Sequence, residues 1–412
     1  MNAFKPMDNN SHSFNENVFD IIIAGAGCSG LSLLYAILQS PGLKNQKILV
    51  VDKSFEKSND RTWCFWEAEK GPFEALVCKQ WDFVSVHKNE FDTNLSTHPF
   101  SYKMIQGVDF YKHVIDYAKQ FSNVHWQEAN ISAIDKAENN LPAYQNNKHV
   151  QAIVQWDGGA ARGKKVFSSI LPIDDLYLIS QRNETAPFLW QHFKGHLVEF
   201  ENSVFDASVA RLMDFNVNQQ GATGFMYVLP LTNKKALVEY TLFSKTLLKP
   251  ESYGQEIIKY LQQHYAGQAY NVVHEEIGAI PMTTQPLAES KAPIYVIGTI
   301  GNAVKASTGY AFHFIQCQAK QIVNHLERGV AVQTEVHQTR HQFYDAVLLH
   351  ILYHDLMEGS EIFKRIFQKN KVATIFKFLS NTSSIWEDIR IMRSLPTKIF
   401  LPAAIKVLLR RG

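Results

Sequence analysis

The stretch FDIIIAGAGCSGLSLLYAILQ, residues 19–39, decides the fold of this chain. Its opening part, FDIIIAG, is a β-branched apolar run typical of a strand buried on both faces of a parallel sheet. The pattern G-x-G-x-x-G follows at Gly25, Gly27 and Gly30, with Ser29 inside it, and a helix-length apolar segment comes next. In such a unit the glycines allow a tight turn, close approach of a pyrophosphate, and packing of helix on strand. The helix N-terminus attracts phosphate, so a dinucleotide site is predicted.

A second buried strand is predicted at residues 47–53, KILVVDK, with Asp52 near its end. Asp52 follows Gly30 by about 20 residues, the spacing at which an acid hydrogen-bonds a ribose hydroxyl of the dinucleotide. The alternative is a tight β–α turn with incidental glycines. NAD and FAD share the fingerprint, so the glycines alone do not choose between them.

A distant segment favours FAD. Residues 291–326 predict a strand, a glycine-rich turn and a helix that begins near Thr308. In that arrangement Gly301, Thr308 and Gly309 lie at a helix N-terminus, which stabilises negative charge on a reduced flavin. The alternative is another strand–loop–helix unit of the same sheet.

Composition excludes several classes of protein. The chain has 412 residues, of which 46% are hydrophobic, and a formal net charge of +2. General disorder is therefore excluded, and no global charge attracts nucleic acid. The four cysteines contain no C-x-x-C pair, which argues against a disulfide framework or thiolate zinc site and favours a reducing, cytosolic compartment. Three histidine pairs at i,i+4 spacing lack the H-E-x-x-H form, so no metal site is predicted.

Two carboxylates in the β-rich middle of the chain are candidate proton donors. Glu239 interrupts the apolar run LVEYTLF, and Asp206 interrupts VFDASV. Strand alternation can place such an acid in a pocket, where desolvation raises its pKa and makes it a general acid. The alternative is an outward-facing acid on a half-exposed strand.

The predicted fold class is α/β: a Rossmann-type FAD-binding domain with an inserted antiparallel β-rich substrate domain and a C-terminal helical region. The charge-free stretch at residues 21–43 has the length of a membrane span, but its glycines favour the turn described above. The predicted divisions are a mobile leader at 1–18, a first FAD-binding part at 19–185, the β-rich domain at 186–285, a returning FAD-binding segment at 286–330, and the helical region at 331–412.

The C-terminal tail is basic and apolar. After Asp388 there is no acidic residue, while six lysines and arginines occur, among them Lys406, Arg410 and Arg411. This composition suits an anionic membrane surface. The alternative is a terminal helix docked on the body with a solvated basic face. The expected location is cytoplasmic, peripherally bound to the inner face of the plasma membrane.

Motifs recur along nearly the whole chain, and together they carry a family resemblance. The stretches are FDIIIAGAGCSGLSL, DRTWCFWE at 60–67, VFDASV, MYVLPL, LVEYT at 237–241, EIGAIPMT at 276–283 and ASTGYAFHF at 306–314. They resemble the motifs of the bacterial lycopene β-cyclases, flavoproteins of carotenoid synthesis. One departure concerns Tyr240, where family members often carry a second acid directly after the glutamate.

The resemblance implies a redox-neutral cyclisation of the ψ ends of lycopene to β rings, by way of γ-carotene to β-carotene. An acid protonates the terminal double bond, the next double bond closes the ring on the tertiary cation, and proton loss fixes the alkene. It further implies FAD, reduced by NAD(P)H, with Arg61 and Asn302 among its contacts, and Glu239 as the acid with Asp206 as its rival.

Two other functions stay open at the level of sequence. A flavin-dependent hydroxylase or polyprenyl reductase acting on an apolar isoprenoid would share the fold but show net redox turnover. Asn302, where such flavoproteins often carry aspartate, disfavours the hydroxylase. A non-catalytic carotenoid carrier would bind the pigment and leave it unchanged.

Overall fold

The computed structural model describes residues 18–136, 151–171, 173–181 and 187–411. The predicted leader lies outside these ranges except for residue 18, which begins the first strand. The strands of the described residues are β1 (Val18–Ala24), β2 (Ile48–Asp52), β3 (Thr62–Glu67), β4 (Lys79–Trp81), β5 (Phe83–Lys88), β6 (Phe91–Ser96), β7 (Ser101–Gln106), β8 (Val124–Glu128), β9 (Ile131–Lys136), β10 (Ala152–Trp156), β11 (Gly159–Ser168), β12 (Leu189–Phe200), β13 (Val209–Asp214), β14 (Thr223–Pro230), β15 (Lys235–Ser244), β16 (Tyr270–Met282) and β17 (Ile294–Val296).

Helices are few before residue 300 and dense after it. A short 3-10 turn, Gly298–Gly301, follows β17. The helices are α1 (Cys28–Gln39), α2 (Gly107–Ala118), α3 (Ile173–Gln181), α4 (Pro250–His264), α5 (Phe312–Glu327), α6 (Thr339–Tyr353), α7 (Gly359–Lys369), α8 (Val372–Leu379), α9 (Ile385–Arg393) and α10 (Thr397–Arg411).

The first sheet contains the predicted β1–α1–β2 unit. Its order is β8-β2-β1-β11-β10-β9, and β17 also pairs with β11. Strands β8, β2, β1, β11 and β17 run parallel to their neighbours, whereas β10 and β9 extend the sheet in antiparallel fashion. Helices α1 and α5 cover one face, and every residue of β2 is buried. Burial on both faces explains why β1 and β2 are continuous apolar runs.

The second sheet has the order β16-β12-β15-β14-β13-β5-β6. All of its pairs are antiparallel except β13 with β5. It therefore draws on residues 83–96 as well as on the insertion predicted at 186–285, whose boundaries stay predictions. With the largely parallel first sheet and the helices after residue 330, it confirms the predicted fold class.

A small sheet, β3-β7-β4, joins the two larger layers. Its strand β3 carries Phe65 in the core under the first sheet and Trp66 in the core under the second. The Trp66 ring stacks on Phe376 of α8 with 4.4 Å between ring centroids. This alternation along one strand ties the C-terminal helices to both layers.

Two sequence predictions differ from the structure. The helix expected near Thr308 begins only at Phe312, because residues 302–311 form a loop. The expected strand around Asp206 is reduced to β13, which starts at Val209, so Asp206 lies in a loop. Within the described residues, no helix combines the length and apolar character needed to cross a membrane.

Candidate active site

A single transverse row of the second sheet carries the polar groups of the candidate site. Tyr227 on β14 pairs with Glu239 on β15, which pairs with Gly195 on β12, which pairs with Glu276 on β16. Residues in register on neighbouring strands project to the same face of a sheet. Tyr227, Glu239 and Glu276 accordingly line one cavity of about 460 Å³.

The walls of this cavity are mostly apolar and aromatic. Alternate residues of β14 and β15 face it, namely Phe225, Leu229, Leu237, Thr241 and Phe243 in addition to those of the row. Tyr240 points to the opposite face, where it packs among residues of α4 and donates a hydrogen bond to Asn218 O. The position at which this chain departs from the family motif therefore lies away from the cavity.

Gly195 on β12 has no side chain, so the space between Glu239 and Glu276 is free of protein atoms from β12. A Cβ atom at Gly195 would lie 3.2 Å from Glu276 Cγ and 3.5 Å from Glu239 Cβ. Any larger side chain at Gly195 would lie between the aliphatic parts of the two glutamate side chains. The glycine thus allows two carboxyl groups from strands that are not adjacent to approach each other.

Glu239 is an acid that its surroundings keep protonated. Burial first, and then the negative charge of Glu276, raise the pKa of Glu239 from 4.5 to about 8. The Thr241 hydroxyl donates to Glu239 Oε1 at 2.6 Å and acts in the opposite direction, because it favours the carboxylate. The side chain can therefore hold a proton near neutral pH and release it into the cavity.

Glu276 lies beside Glu239, with Thr62, His274 and Arg61 near it. Burial raises the pKa of Glu276 above its ordinary value, and the Thr62 hydroxyl, His274 and Arg61 oppose that shift without reversing it. Thr62 Oγ1 donates to Glu276 Oε2 at 2.8 Å. Sequence reasoning did not single out Glu276. The signal was present in HEEIGAIPM, because alternation along a strand sends one of two successive glutamates to each face.

Asp206 does not belong to this site, and we discard it as a rival donor. Its Oδ1 accepts hydrogen bonds from the Ser208 backbone N at 2.9 Å and the Ser208 hydroxyl at 2.6 Å. Those bonds lower the pKa of the exposed Asp206 carboxyl. A solvated, ionised carboxylate in a local turn cannot protonate an alkene inside a cavity.

Two phenols, Tyr227 and Tyr310, line the cavity and belong to a cluster that continues behind its wall. The hydroxyls of Tyr102 and Tyr227 are hydrogen-bonded, and the Tyr310 hydroxyl lies 3.4 Å from that of Tyr102. Tyr310 also meets the Trp66 ring edge-on, at 4.8 Å between centroids. Aromatic faces attract positive charge, so the two lining phenols can stabilise a cation in the cavity without forming a bond to it.

The predicted glycine turn has the geometry of a phosphate cradle. Gly25 has a φ of +101°, and a Cβ at Gly30 would collide with the Gly25 carbonyl, so both positions require glycine. Gly27 precedes α1 directly, and a Cβ there would meet no atom within 4 Å. That open space faces the cavity, which Gly27 and Ser29 line. These residues fit the pyrophosphate of a dinucleotide.

Asp52 supports the turn. Its Oδ2 accepts a hydrogen bond from the Ala26 backbone N at 2.6 Å, and its Oδ1 pairs with Lys57 Nζ at 2.8 Å. The carboxylate thereby fixes the conformation of the glycine turn. Its predicted contact with a ribose hydroxyl stays a prediction.

The returning segment meets the cavity on the side of the glycine turn. Thr308 and Gly309 line it together with Arg61, while Gly301 and Asn302 are outside the lining. Thr308 Oγ1 is buried and has no hydrogen-bond partner among the described residues. A buried hydroxyl without a partner is the kind of group that a bound polar ligand satisfies.

Gly301 and Asn302 instead determine the backbone conformation of the turn. A Cβ at Gly301 would lie 2.5 Å from the Val296 carbonyl oxygen, and Asn302 has a left-handed φ of 58°. Both residues shape the turn that leads to Thr308. Within the part of the chain that the structure describes, no group of three or more histidine, cysteine or acidic side chains could hold a metal ion.

Solved structures share the fold of this chain. A flavoprotein/dehydrogenase from Cytophaga hutchinsonii superposes with a TM-score of 0.57 and 10% identity, covering 96% of this chain and 100% of that one. A probable FAD-dependent monooxygenase from Pseudomonas aeruginosa gives a TM-score of 0.53 and 15% identity, covering 92% and 100%. At such identities the likeness establishes the fold, which is that of FAD-dependent flavoproteins.

Sequence comparison identifies the family of this chain. The chain belongs to the lycopene cyclase protein family, whose model matches residues 20–404. A lycopene beta-cyclase from Pantoea ananas is 25% identical over 303 residues, 71% of each chain. A chloroplastic neoxanthin synthase from Solanum lycopersicum is 26% identical over 311 residues, 72% of this chain and 58% of that protein. The resemblance found in the motifs is confirmed.

Proposed function

We propose that this protein closes the ψ ends of lycopene into β rings without net oxidation or reduction. The observation that carries the proposal is the buried Glu239, whose pKa is raised to about 8, in a mostly apolar cavity next to a glycine turn that fits a phosphate. Membership of the lycopene cyclase family supports the substrate class. The similarity to a lycopene beta-cyclase from Pantoea ananas supports the β ring.

Glu239 supplies the proton for the terminal double bond of the ψ end. Proton transfer to a hydrocarbon requires an acid that no water competes with, and the apolar walls exclude water from the acid. The resulting tertiary cation is attacked by the next double bond, and the aromatic side chains that line the cavity, among them Phe225, Tyr227 and Tyr310, stabilise the charge. Loss of a proton from the ring then forms the alkene.

FAD is part of the proposal, in its reduced form and with NAD(P)H as the reductant. The backbone at Gly27 and Ser29 would hold the pyrophosphate, and Arg61, Thr308 and Gly309 would face the rest of the cofactor. When bound, reduced flavin supplies negative charge that stabilises a nearby cation. The partnerless hydroxyl of Thr308 supports a polar ligand at this place.

We also propose that the protein binds the cytoplasmic face of the plasma membrane, because its substrate is insoluble in water. Helices α9 and α10 expose several large apolar side chains. These are Ile385, Trp386, Leu401, Ile405, Leu408 and Leu409, of which Trp386 is 80% exposed and Leu409 76%. Apolar side chains among basic ones suit the boundary between anionic headgroups and acyl chains.

Expression in lycopene-producing cells tests the function. We expect a yellow pigment of unchanged mass, because cyclisation is an isomerisation. A mass gain of one oxygen or of two hydrogens would instead indicate a hydroxylase or a reductase. Unchanged red lycopene bound to the purified protein would indicate a carrier, and any of these three results would contradict the proposal.

A further inference from the structure

We propose that Glu276 is the catalytic base that removes the proton from the cyclised cation and returns it to Glu239, so that the two glutamates complete the reaction as a pair. The inference rests on the proposed function and adds to it a second catalytic residue. Glu276 comes from β16, at the edge of the sheet, whereas Glu239 is central.

The first support is the position of both carboxyl groups in one cavity. Both residues are partners of Gly195, one on each side of β12, and both are buried at 8% and 6% exposure. Each is oriented by a threonine hydroxyl, Thr241 for Glu239 and Thr62 for Glu276. Because Gly195 has no side chain, no atom of that residue separates the two glutamate side chains.

The second support is the difference between their surroundings. Arg61 and His274 stand on the side of Glu276 and favour its carboxylate, although burial and Asp60 oppose them. Around Glu239 the neighbours are neutral hydroxyls and apolar side chains, with Glu276 as the negative charge that acts on it. Paired carboxyl groups whose surroundings differ in this way divide the roles of acid and base between them. The titratable groups that face the pair are Asp60, Arg61, Cys64, Tyr227, His274 and Tyr310.

The proton balance closes within the pair. Glu239 in its acid form gives its proton to the CH carbon of the terminal double bond, which leaves the tertiary cation. The electron pair of the next double bond then forms the C–C bond that closes the ring, and the positive charge moves to a ring carbon. The Glu276 carboxylate takes one proton from the ring, whose C–H electron pair becomes the new double bond. Passage of that proton from Glu276 to the Glu239 carboxylate restores the starting state. No oxidant, reductant or solvent proton is consumed, as an isomerisation requires.

A base at a fixed position also decides which double bond forms. The cyclised cation can lose a proton from three positions next to the charged carbon. These are the ring carbon that carries the polyene chain, the ring methylene, and the methyl group on the charged carbon. The first loss gives the β ring, and the others give isomeric rings. We infer that Glu276 selects the β ring because it removes the proton from one defined side of the cation.

Replacement of Glu276 by glutamine tests the inference. Glu276→Gln keeps the size of the side chain and leaves Glu239 free to protonate the substrate. We expect turnover to fall ~10²–10⁴-fold, the usual effect of removing a general base, and rings with displaced double bonds to appear among the products. Glu276→Asp should restore part of the rate and the β selectivity.

Glu275→Gln is the matched control, because the adjacent Glu275 lies on the opposite face, paired with Lys194 at 2.9 Å. It should give wild-type turnover and only β rings. Glu276→Gln with wild-type turnover and only β rings would overturn the inference. A complete absence of ring products from folded Glu276→Gln after prolonged incubation would also overturn it, since protonation by Glu239 would then depend on Glu276.

Gly195→Ala tests the contact between the carboxyl groups while it leaves both in place. A Cβ at this position would lie between the stems, so we expect slower turnover with β selectivity retained. Turnover equal to that of the wild type would overturn direct proton return. Failure of the proposed function itself has a different signature, because the wild-type protein would then leave lycopene uncyclised or Glu239→Gln would still cyclise it.

Discussion

Lys305 and Asp345 form a fully buried ion pair, with 3.0 Å between Nζ and Oδ1. Lys305 precedes Thr308 in the returning segment, and Asp345 lies on α6, the first of the C-terminal helices. Lys305 Nζ also donates to Asn381 Oδ1 at 2.8 Å. The Lys305 carbonyl accepts the Gly309 N–H at 2.8 Å, so the same residue shapes the loop that lines the cavity. The C-terminal helices therefore hold this loop in place.

Loss of one partner of that pair should destabilise the fold. In Asp345→Asn the Lys305 charge remains buried without its counter-charge, and such changes typically cost ~3–5 kcal/mol. We expect a lower free energy of unfolding in urea. The exposed Lys112–Asp116 pair provides the control, since Asp116→Asn should leave the free energy of unfolding nearly unchanged.

The double replacement Lys305→Met with Asp345→Leu separates the charge effect from packing. Without either charge, the buried site becomes apolar and much of the lost stability should return. Equal destabilisation by the single and double variants would contradict the importance of the uncompensated charge.

Glu239→Gln should abolish cyclisation and leave the fold intact. The amide keeps the size of the side chain and removes the acidic proton, and loss of a general acid typically costs ~10²–10⁴ in rate. Turnover of lycopene by protein with bound FAD gives the measurement. Asp206→Asn is the control, because Asp206 is exposed and ionised, and it should cyclise at the wild-type rate. A fast Glu239→Gln enzyme would rule out Glu239 as the donor.

The sequence singled out Glu239 but not its partner. Periodicity places the acid of LVEYTLF in a strand but leaves an outward-facing side chain open, and the resemblance to the lycopene β-cyclases selected Glu239. The glycine turn follows from its spacing. The pairing with Glu276 depends on strand order, which places β12 and its Gly195 between two strands distant in the chain. The error at Asp206 has a local cause, since its bonds to Ser208 form a turn that competes with a strand.

Gly27→Val should yield folded protein that lacks FAD. The added side chain meets no protein atom near its Cβ, so the fold is preserved, but it occupies the space in which a pyrophosphate would approach the backbone. Flavin absorbance per protein after purification is the measurement. Gly254→Val is the matched control, because a Cβ at Gly254 on α4 is equally unobstructed. Stoichiometric FAD in Gly27→Val would contradict the assignment of the turn.

The pH dependence of thermal stability should report the raised pKa of Glu239. Because burial and Glu276 raise this pKa in the folded protein from 4.5 to about 8, the folded state binds the proton more tightly than the unfolded chain. Its contribution to stability is complete below pH 4.5 and is lost as the pH rises through about 8. Glu239→Gln should therefore gain stability relative to the wild type over that interval.

Melting temperatures across the interval give the measurement. Glu275→Gln is the control of opposite sign, because the Lys194 hydrogen bond lowers the pKa of Glu275. The stability that this group contributes is present above its unfolded-state pKa and is lost as the pH falls through the lowered value. Parallel melting curves for the wild type and Glu239→Gln would show that Glu239 titrates normally.

Membrane binding through the C-terminal helices should have separable electrostatic and apolar parts. Reversal of Lys406, Arg410 and Arg411 to glutamate should weaken sedimentation with anionic vesicles at low salt, and the difference should shrink as salt screens the charges. Replacement of Leu408 and Leu409 by asparagine should weaken sedimentation at every salt concentration, because it removes apolar area that is 63% and 76% exposed in the free protein. Leu247→Asn, at a distant site with 49% exposure, is the control. Unaltered sedimentation of both tail variants would show that another surface binds the membrane.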